Sequence, residues 1–277
     1  MSIKSSLGRQ LGTQFDAVFD VVKSNPIYDK SGGKIPTLDL NFAKTKSLFD
    51  GRSTKNKITF SRASTATYVD GDGVIQSASV DEARFDHDPA TGESLGLLIE
   101  EERTNRINNS NLETGANGFW QSFSPEGATA TWTADSIASP DGTVSAGLAQ
   151  KNNGGNPRFI NSVNIVGANT VLIASVFCKQ YQTEEVLQLS FYNIAGVSYS
   201  QAEININSAS ATLGTGFSDA VVEDFDNSWK RVSVKYTVPS SATGTTATFS
   251  VQPSSNTSGM YLWGSQVDST AWSSMKR

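Results

Sequence analysis

Five tryptophans and seven tyrosines are the side chains of this sequence best suited to hold a ligand. Flat aromatic faces pack on sugar rings, and amide and carboxylate groups beside them take the hydroxyls. Trp120, Trp132 and Tyr199 fall in or beside polar stretches and are the candidate ligand-binding residues. Trp229 and Trp263 belong to regular strand patterns and are expected in the core or against a sheet. Trp272 lies in a short polar tail and has the character of an interface anchor, since Trp is enriched at binding hot spots.

The acids and the single histidine set limits on catalysis. Glycoside hydrolysis needs two carboxylates about 5 to 9.5 Å apart. Asp224 with Asp226, and Glu184 with Glu185, are the available pairs, but acids in loops of this kind are expected to be solvated. One histidine excludes any two-His device within the chain, and His87 sits in a turn-like Asp86–Pro89 run with no nucleophile elbow elsewhere. It is expected to be a structural hydrogen-bonding residue. Asp70-Gly71-Asp72-Gly73 has the opening of a calcium loop, but the next ligand position falls near Val74, so it reads as a Gly-rich hairpin turn. Cys178 stands alone, which excludes an internal disulfide and a multi-cysteine site. Its strongly apolar surroundings predict a buried small hydrophobe. No catalytic residue, metal site or cofactor is expected.

Composition narrows the partners. With 22 basic and 27 acidic residues the net charge is −5 and the pI about 5.0. Binding phosphate backbones needs clustered Lys and Arg, so no nucleic-acid role is expected. No apolar run approaches the roughly 20 residues that span a bilayer, and the N-terminus lacks a secretory apolar region. No membrane insertion is expected, and synthesis in a cytoplasm is.

The positioning elements are short strands. Ser, Thr, Asn and Gly-rich loops separate alternating runs from Asn105 onward, which predicts an all-β fold, an antiparallel β-sandwich of jelly-roll type. Expected strands include Ala128–Trp132, Thr143–Gln150, Arg158–Ile160, Thr170–Lys179, Val186–Tyr192, Gln201–Asn207, Ser210–Gly214, Ala220–Phe225, Trp229–Val238, Ala247–Val251 and Gly259–Val267. Ahead of them, Lys57–Val69 reads as a strand entering the Asp70–Gly73 turn, with Val74 and Ile75 starting the return. Leu38–Phe42 reads as a short alternating strand. Arg62 and Arg84 bracket the hairpin, with Glu100, Glu101 and Glu102 as partners. Leu7, Leu11, Phe15, Val18, Phe19 and Val22 form a helical stripe that Asn25-Pro26 ends. A short helix needs its apolar face covered, either by its own domain or by a partner.

Thr59–Asp70, followed by Arg84-Phe85-Asp86-His87-Asp88 and Leu97-Leu98-Ile99-Glu100, resembles a module of bacteriophage virion proteins: tail fibres, head spikes or fibres. Asn117–Trp120, Ala138–Thr143, Ser175–Lys179, Asp226–Val234 and Tyr261–Asp268 are similar to the jelly-roll, carbohydrate-binding-module-like unit that follows it. The chain is read as an anchoring arm over residues 1–35, which matches no family pattern, a hairpin collar over 36–105 and a jelly roll over 106–277, and the resemblance covers about residues 57–268. The resemblance implies a non-enzymatic virion surface protein. Leu7, Leu11, Phe15, Val18, Phe19 and Val22 would dock it to other virion proteins, and the sandwich would attach to host-surface glycan. The alternative is a capsid or tail decoration protein that stabilises the particle by protein contacts. Fibres of this kind imply a homo-oligomer, with a trimer expected.

Overall fold

The computed structural model describes residues 38–51, 53–100, 104–107, 109–110, 112, 121–123, 129–152, 158–165, 167–254 and 258–269. The stripe from Leu7 to Val22, Trp120 and Trp272 lie outside these residues. The chain divides into two compact units, Met1–Phe60 and Ser61–Arg277.

In the first unit, Leu38–Phe42 does not form the expected strand. The Asn41 side chain accepts the Lys44 N–H at 3.2 Å and caps a helical turn, α1 (Phe42–Thr45). A local side-chain bond thus outcompetes a strand that alternation alone predicted. Strands β1 (Phe49–Asp50) and β2 (Ser53–Lys57) follow as a small antiparallel pair.

The second unit opens with two hairpins, β3 (Ala66–Val69) with β4 (Ile75–Ala78), and β5 (Phe85–His87) with β6 (Ser94–Leu97). The strand expected over Lys57–Val69 keeps only its last four residues in this ladder. Upstream, Arg62 donates to the carbonyls of Ser64 (2.7 Å), Glu82 (2.9 Å) and Ser79, while the Asp81 carboxylate takes the Arg62 N–H at 2.9 Å. Those bonds fold the segment onto the loop after β4 instead of extending the hairpin. The Asp70–Gly73 turn forms as expected: Gly73 N–H reaches Asp70 O at 3.1 Å, with Gly73 at φ +79°. One Asp70 oxygen accepts from the Asp72 and Val74 amides, and the other from Gln76. Both are therefore engaged within the turn.

The remaining strands make two six-stranded antiparallel sheets. The first runs β14 (Ser210–Leu213), β13 (Ser200–Asn205), β12 (Val186–Tyr192), β17 (Thr246–Pro253), β10 (Arg158–Asn164), β7 (Gln121–Phe123). The second runs β15 (Phe217–Asp224), β16 (Lys230–Thr237), β11 (Val171–Tyr181), β18 (Gly259–Asp268), β9 (Val144–Asn152), β8 (Thr129–Ala138). The chain crosses repeatedly between the sheets, and the inward residues interdigitate as a β-sandwich of jelly-roll type. Leu187, Leu189 and Phe191 meet Val232, Val234 and Tyr236 in the main core, with Cys178 fully buried among them. Phe191 stacks on Tyr236 at 4.7 Å.

A second apolar cluster holds the first hairpin to the outer side of the second sheet. Val69 and Ile75 pack on Ala146, Phe177, Phe225 and Trp229, and Ile75 N–H donates to Pro140 O at 2.9 Å. Trp229, only 2% exposed, also donates its indole N–H to Ala138 O. Trp263 packs against the same cluster and donates to Ser145 Oγ at 3.0 Å. The two strand tryptophans are thus packing residues.

Candidate binding face

Alternation along a strand sends one set of side chains inward and leaves the other on the opposite face. On β12, Leu187, Leu189 and Phe191 go to the core, which places Gln188, Ser190 and Tyr192 on the outer face of the first sheet. The same rule places Gln201 and Glu203 there from β13, Thr248, Ser250 and Gln252 from β17, and Arg158 from β10. Strand register then aligns them. Gln188 lies opposite both Glu203 and Gln252, and Ser190 opposite both Gln201 and Ser250.

The aligned groups form a directed hydrogen-bond ladder. Gln252 Nε2 donates to Gln188 Oε1, and Gln188 Nε2 to Glu203 Oε1 at 2.7 Å. From the other side, Tyr199 Oη donates to Gln201 Oε1 at 2.6 Å, and Gln201 Nε2 to Glu203 Oε1 at 2.7 Å. Both arms end on one oxygen of Glu203. Its other oxygen takes no hydrogen bond among the described residues. Ser190 and Ser250 share a hydroxyl contact at 2.5 Å in the floor. Depth changes along the ladder: Gln252 is 2% exposed, whereas Tyr199 at the rim is 45% exposed.

An aromatic–cation group completes the rim. The Arg158 guanidinium carbon lies 4.6 Å from the Tyr199 ring centroid and 5.1 Å from that of Tyr192. The two rings are 5.9 Å apart. Burial pushes the Tyr192 phenol above its usual range, with the Arg158 charge acting against that. Tyr192 therefore stays a neutral, polar-tipped plane at any ordinary pH. The arrangement offers ring faces, amides and a carboxylate oxygen to a polyhydroxylated ligand.

The expected ligand residues separate in space. Tyr199 stands on this face. Trp132 is on β8 of the other sheet, half-buried on the inner side, with its ring 5.4 Å from Phe159 and its indole covering Gly147. The structure does not bring it to Tyr199. Trp120 lies outside the described residues. Arg158, Gln188, Gln201, Glu203 and Gln252 were not anticipated. The signal was present in Gln188-Leu189-Ser190-Phe191-Tyr192 and Thr248-Phe249-Ser250-Val251-Gln252, where polar residues alternate with large apolar ones.

The acids weighed for hydrolysis have structural bonds. Asp224 pairs with Lys230, Asp226 accepts from Asn227 at 2.7 Å, Glu184 accepts the Val186 N–H at 2.9 Å, and Glu185 accepts from Asn205. His87 is buried, with Nδ1 2.9 Å from Val69 O, so Nδ1 carries the proton and donates. Asp86 beside it accepts the Val69 N–H at 2.7 Å, and both residues tie the second hairpin to the first. No group of three or more His, Cys, Asp or Glu among the described residues is arranged to hold a metal ion.

No family model matches the chain, and no curated protein does. Among solved structures it is similar to the CBM22-1 xylan-binding domain of Paenibacillus barcinonensis Xyn10C, at 12% identity and TM-score 0.37, over 63% of this chain and 99% of that one. It is similar to the CBM22-1–GH10 modules of Clostridium thermocellum xylanase 10B, at 14% identity and TM-score 0.39, over 61% of this chain and 28% of that one. The enzymatically active domain of bacteriophage CBA120 tailspike protein 4 matches at 12% identity and TM-score 0.37, over 59% of this chain and 21% of that one. Similarity at this level assigns no function.

Proposed function

We propose that this chain is a non-enzymatic bacteriophage virion surface protein that displays its sandwich for attachment to host-surface glycan. The observation that carries the glycan reading is the rim of the polar face, where the Gln201 side chain joins the exposed Tyr199 hydroxyl to the Glu203 carboxylate. A sugar ring lies against the tyrosine while the carboxylate and the Gln201 amide take its hydroxyls. The buried end of the ladder holds those groups in place before the ligand arrives, which lowers the ordering cost of binding.

The virion reading rests on the resemblance carried by Thr59–Asp70, Arg84–Asp88 and Leu97–Glu100. In this reading the arm over residues 1–35 docks to other virion proteins and the protein assembles as a homo-oligomer, a trimer by analogy with fibres. A glycan array probed with the full chain, beside Tyr199→Ala and Glu203→Ala, tests the attachment function. Binding to a defined set of glycans, weakened about tenfold or more in both variants, is expected. Uniform absence of binding would overturn it and leave the decoration role.

A further inference from the structure

A concave surface, about 460 Å³ in volume, opens where β11 ends and β16 begins. Lys179, Gln180, Gln182, Asn207, Ser228 and Lys230 line it. None of these belongs to the ladder on the first sheet. The wall is cationic and amide-rich, in a chain whose net charge is −5. Lys230 is already paired with Asp224. Lys179 has no acidic partner among the described residues, and it also lines an adjoining cavity of about 260 Å³ bounded by Gly73, Val74 and Trp229.

The backbone here is unusual in the same place. Gln182 and Ser228, both in the lining, sit at φ +53° and +63°, and Asn227 beside them at +55°. Left-handed backbone is uncommon for residues other than glycine, and rarer for Gln and Ser than for Asn. Such conformations persist where the surroundings hold them, and they cluster at ligand clamps. The amides are pre-positioned: Asn207 Nδ2 donates to Gln180 Oε1 at 3.3 Å, and Gln180 Nε2 to Gln182 O at 3.1 Å.

We propose that this cleft is a second saccharide site, selective for an acidic sugar whose carboxylate seats on the Lys179 ammonium. The Gln180, Gln182 and Asn207 amides and the Ser228 hydroxyl then take ring hydroxyls. Lysine acts here as a point charge, so the contact weakens with salt when it is exposed.

The test is a titration of the full chain with trigalacturonic acid and with neutral maltotriose, followed by NMR chemical shifts at low and high salt. Saturable binding of the acid is expected, lost about tenfold in Lys179→Met. Lys179→Arg should retain it, and Tyr199→Ala should leave it unchanged. Thermal midpoints of all three variants establish that they are folded. Equal binding by Lys179→Met, no saturable binding by the wild-type chain, or maltotriose shifting the cleft residues as strongly as the acid does would each overturn the proposal. Binding of a sulfated trisaccharide in place of trigalacturonic acid would overturn the carboxylate assignment.

Discussion

Gly147 lies directly under the indole of Trp132, so that a Cβ at position 147 would fall among the ring carbons. The indole occupies the space that every other residue type would fill, and its far side meets Phe159 from the opposite sheet. Trp132 is thereby a wedge at the edge of the sandwich.

Gly147→Ala is expected to destabilise the protein by about 1–3 kcal/mol through overpacking. Trp132→Ala should cost about 3–5 kcal/mol. The double variant should be less destabilised than the sum, because the alanine methyl enters vacated space. Urea denaturation of the three variants measures this, and strict additivity would exclude the wedge.

The hairpin tips touch closely enough to constrain residue type. Gly92 sits at φ +70°, and a Cβ there would lie 2.6 Å from Gly71 O. Gly92→Ala should therefore cost about 1–3 kcal/mol and expose the tip over residues 88–93 to protease earlier than in the wild type.

Within the polar face, Gln188→Leu removes the acceptor of Gln252 and one donor of Glu203. A buried group left unpaired costs about 1–3 kcal/mol. Gln188→Leu with Gln252→Leu should recover much of that loss, since an apolar pair leaves nothing unpaired in the floor. Chemical denaturation of both variants distinguishes a coupled ladder from polar side chains that act independently.

Acid should weaken the hairpins first. Bonds from the Thr91 amide and hydroxyl and the Ala90 amide hold the Asp88 carboxyl below its usual range. For Asp70, burial pushes upward, but Gln76 and the Val74 and Asp72 amides outweigh it and lower the carboxyl. A group with a lowered folded pKa stabilises above its unfolded value and loses that contribution as pH falls through the folded one. Thermal midpoints should thus hold from pH 7 to about 5 and fall below about pH 4. Asp88→Asn should show a shallower fall, and an equally steep one would remove Asp88 from the account.

Cys178 is fully buried, and burial pushes its thiol up. Alkylation by iodoacetamide should wait for global unfolding, because the thiolate is the reactive form. Mass spectrometry of native and urea-treated protein reads this directly.

Strand interiors were legible because their patterning is local. Val186–Tyr192 has in the structure the same limits that alternation predicts, and Trp229–Val238 presents the expected apolar face of Val232, Val234 and Tyr236. Leu38–Phe42 misled because the Asn41 cap competes through one side chain that hydrophobic pattern does not register. Lys57–Val69 came out too long because the carbonyls that hold Arg62 lie up to 20 residues away. The binding face was hidden for a related reason. Its ladder joins β12, β13 and β17, and Gln188 meets Gln252 across 64 positions of sequence, so register had to be known before the residues could be grouped.

The segment leading into the sandwich pairs with the strand that closes it. Arg106 N–H donates to Val267 O at 2.7 Å, Ser265 N–H to Ser110 O at 2.8 Å, and Asn105 Oδ1 accepts the Val267 N–H at 3.0 Å. The two runs are antiparallel, so tension carried along the chain loads this seam from one end. Its bonds then break in succession instead of together. The first response of the chain to a pull is thus the opening of this seam, bond by bond, ahead of the sheets.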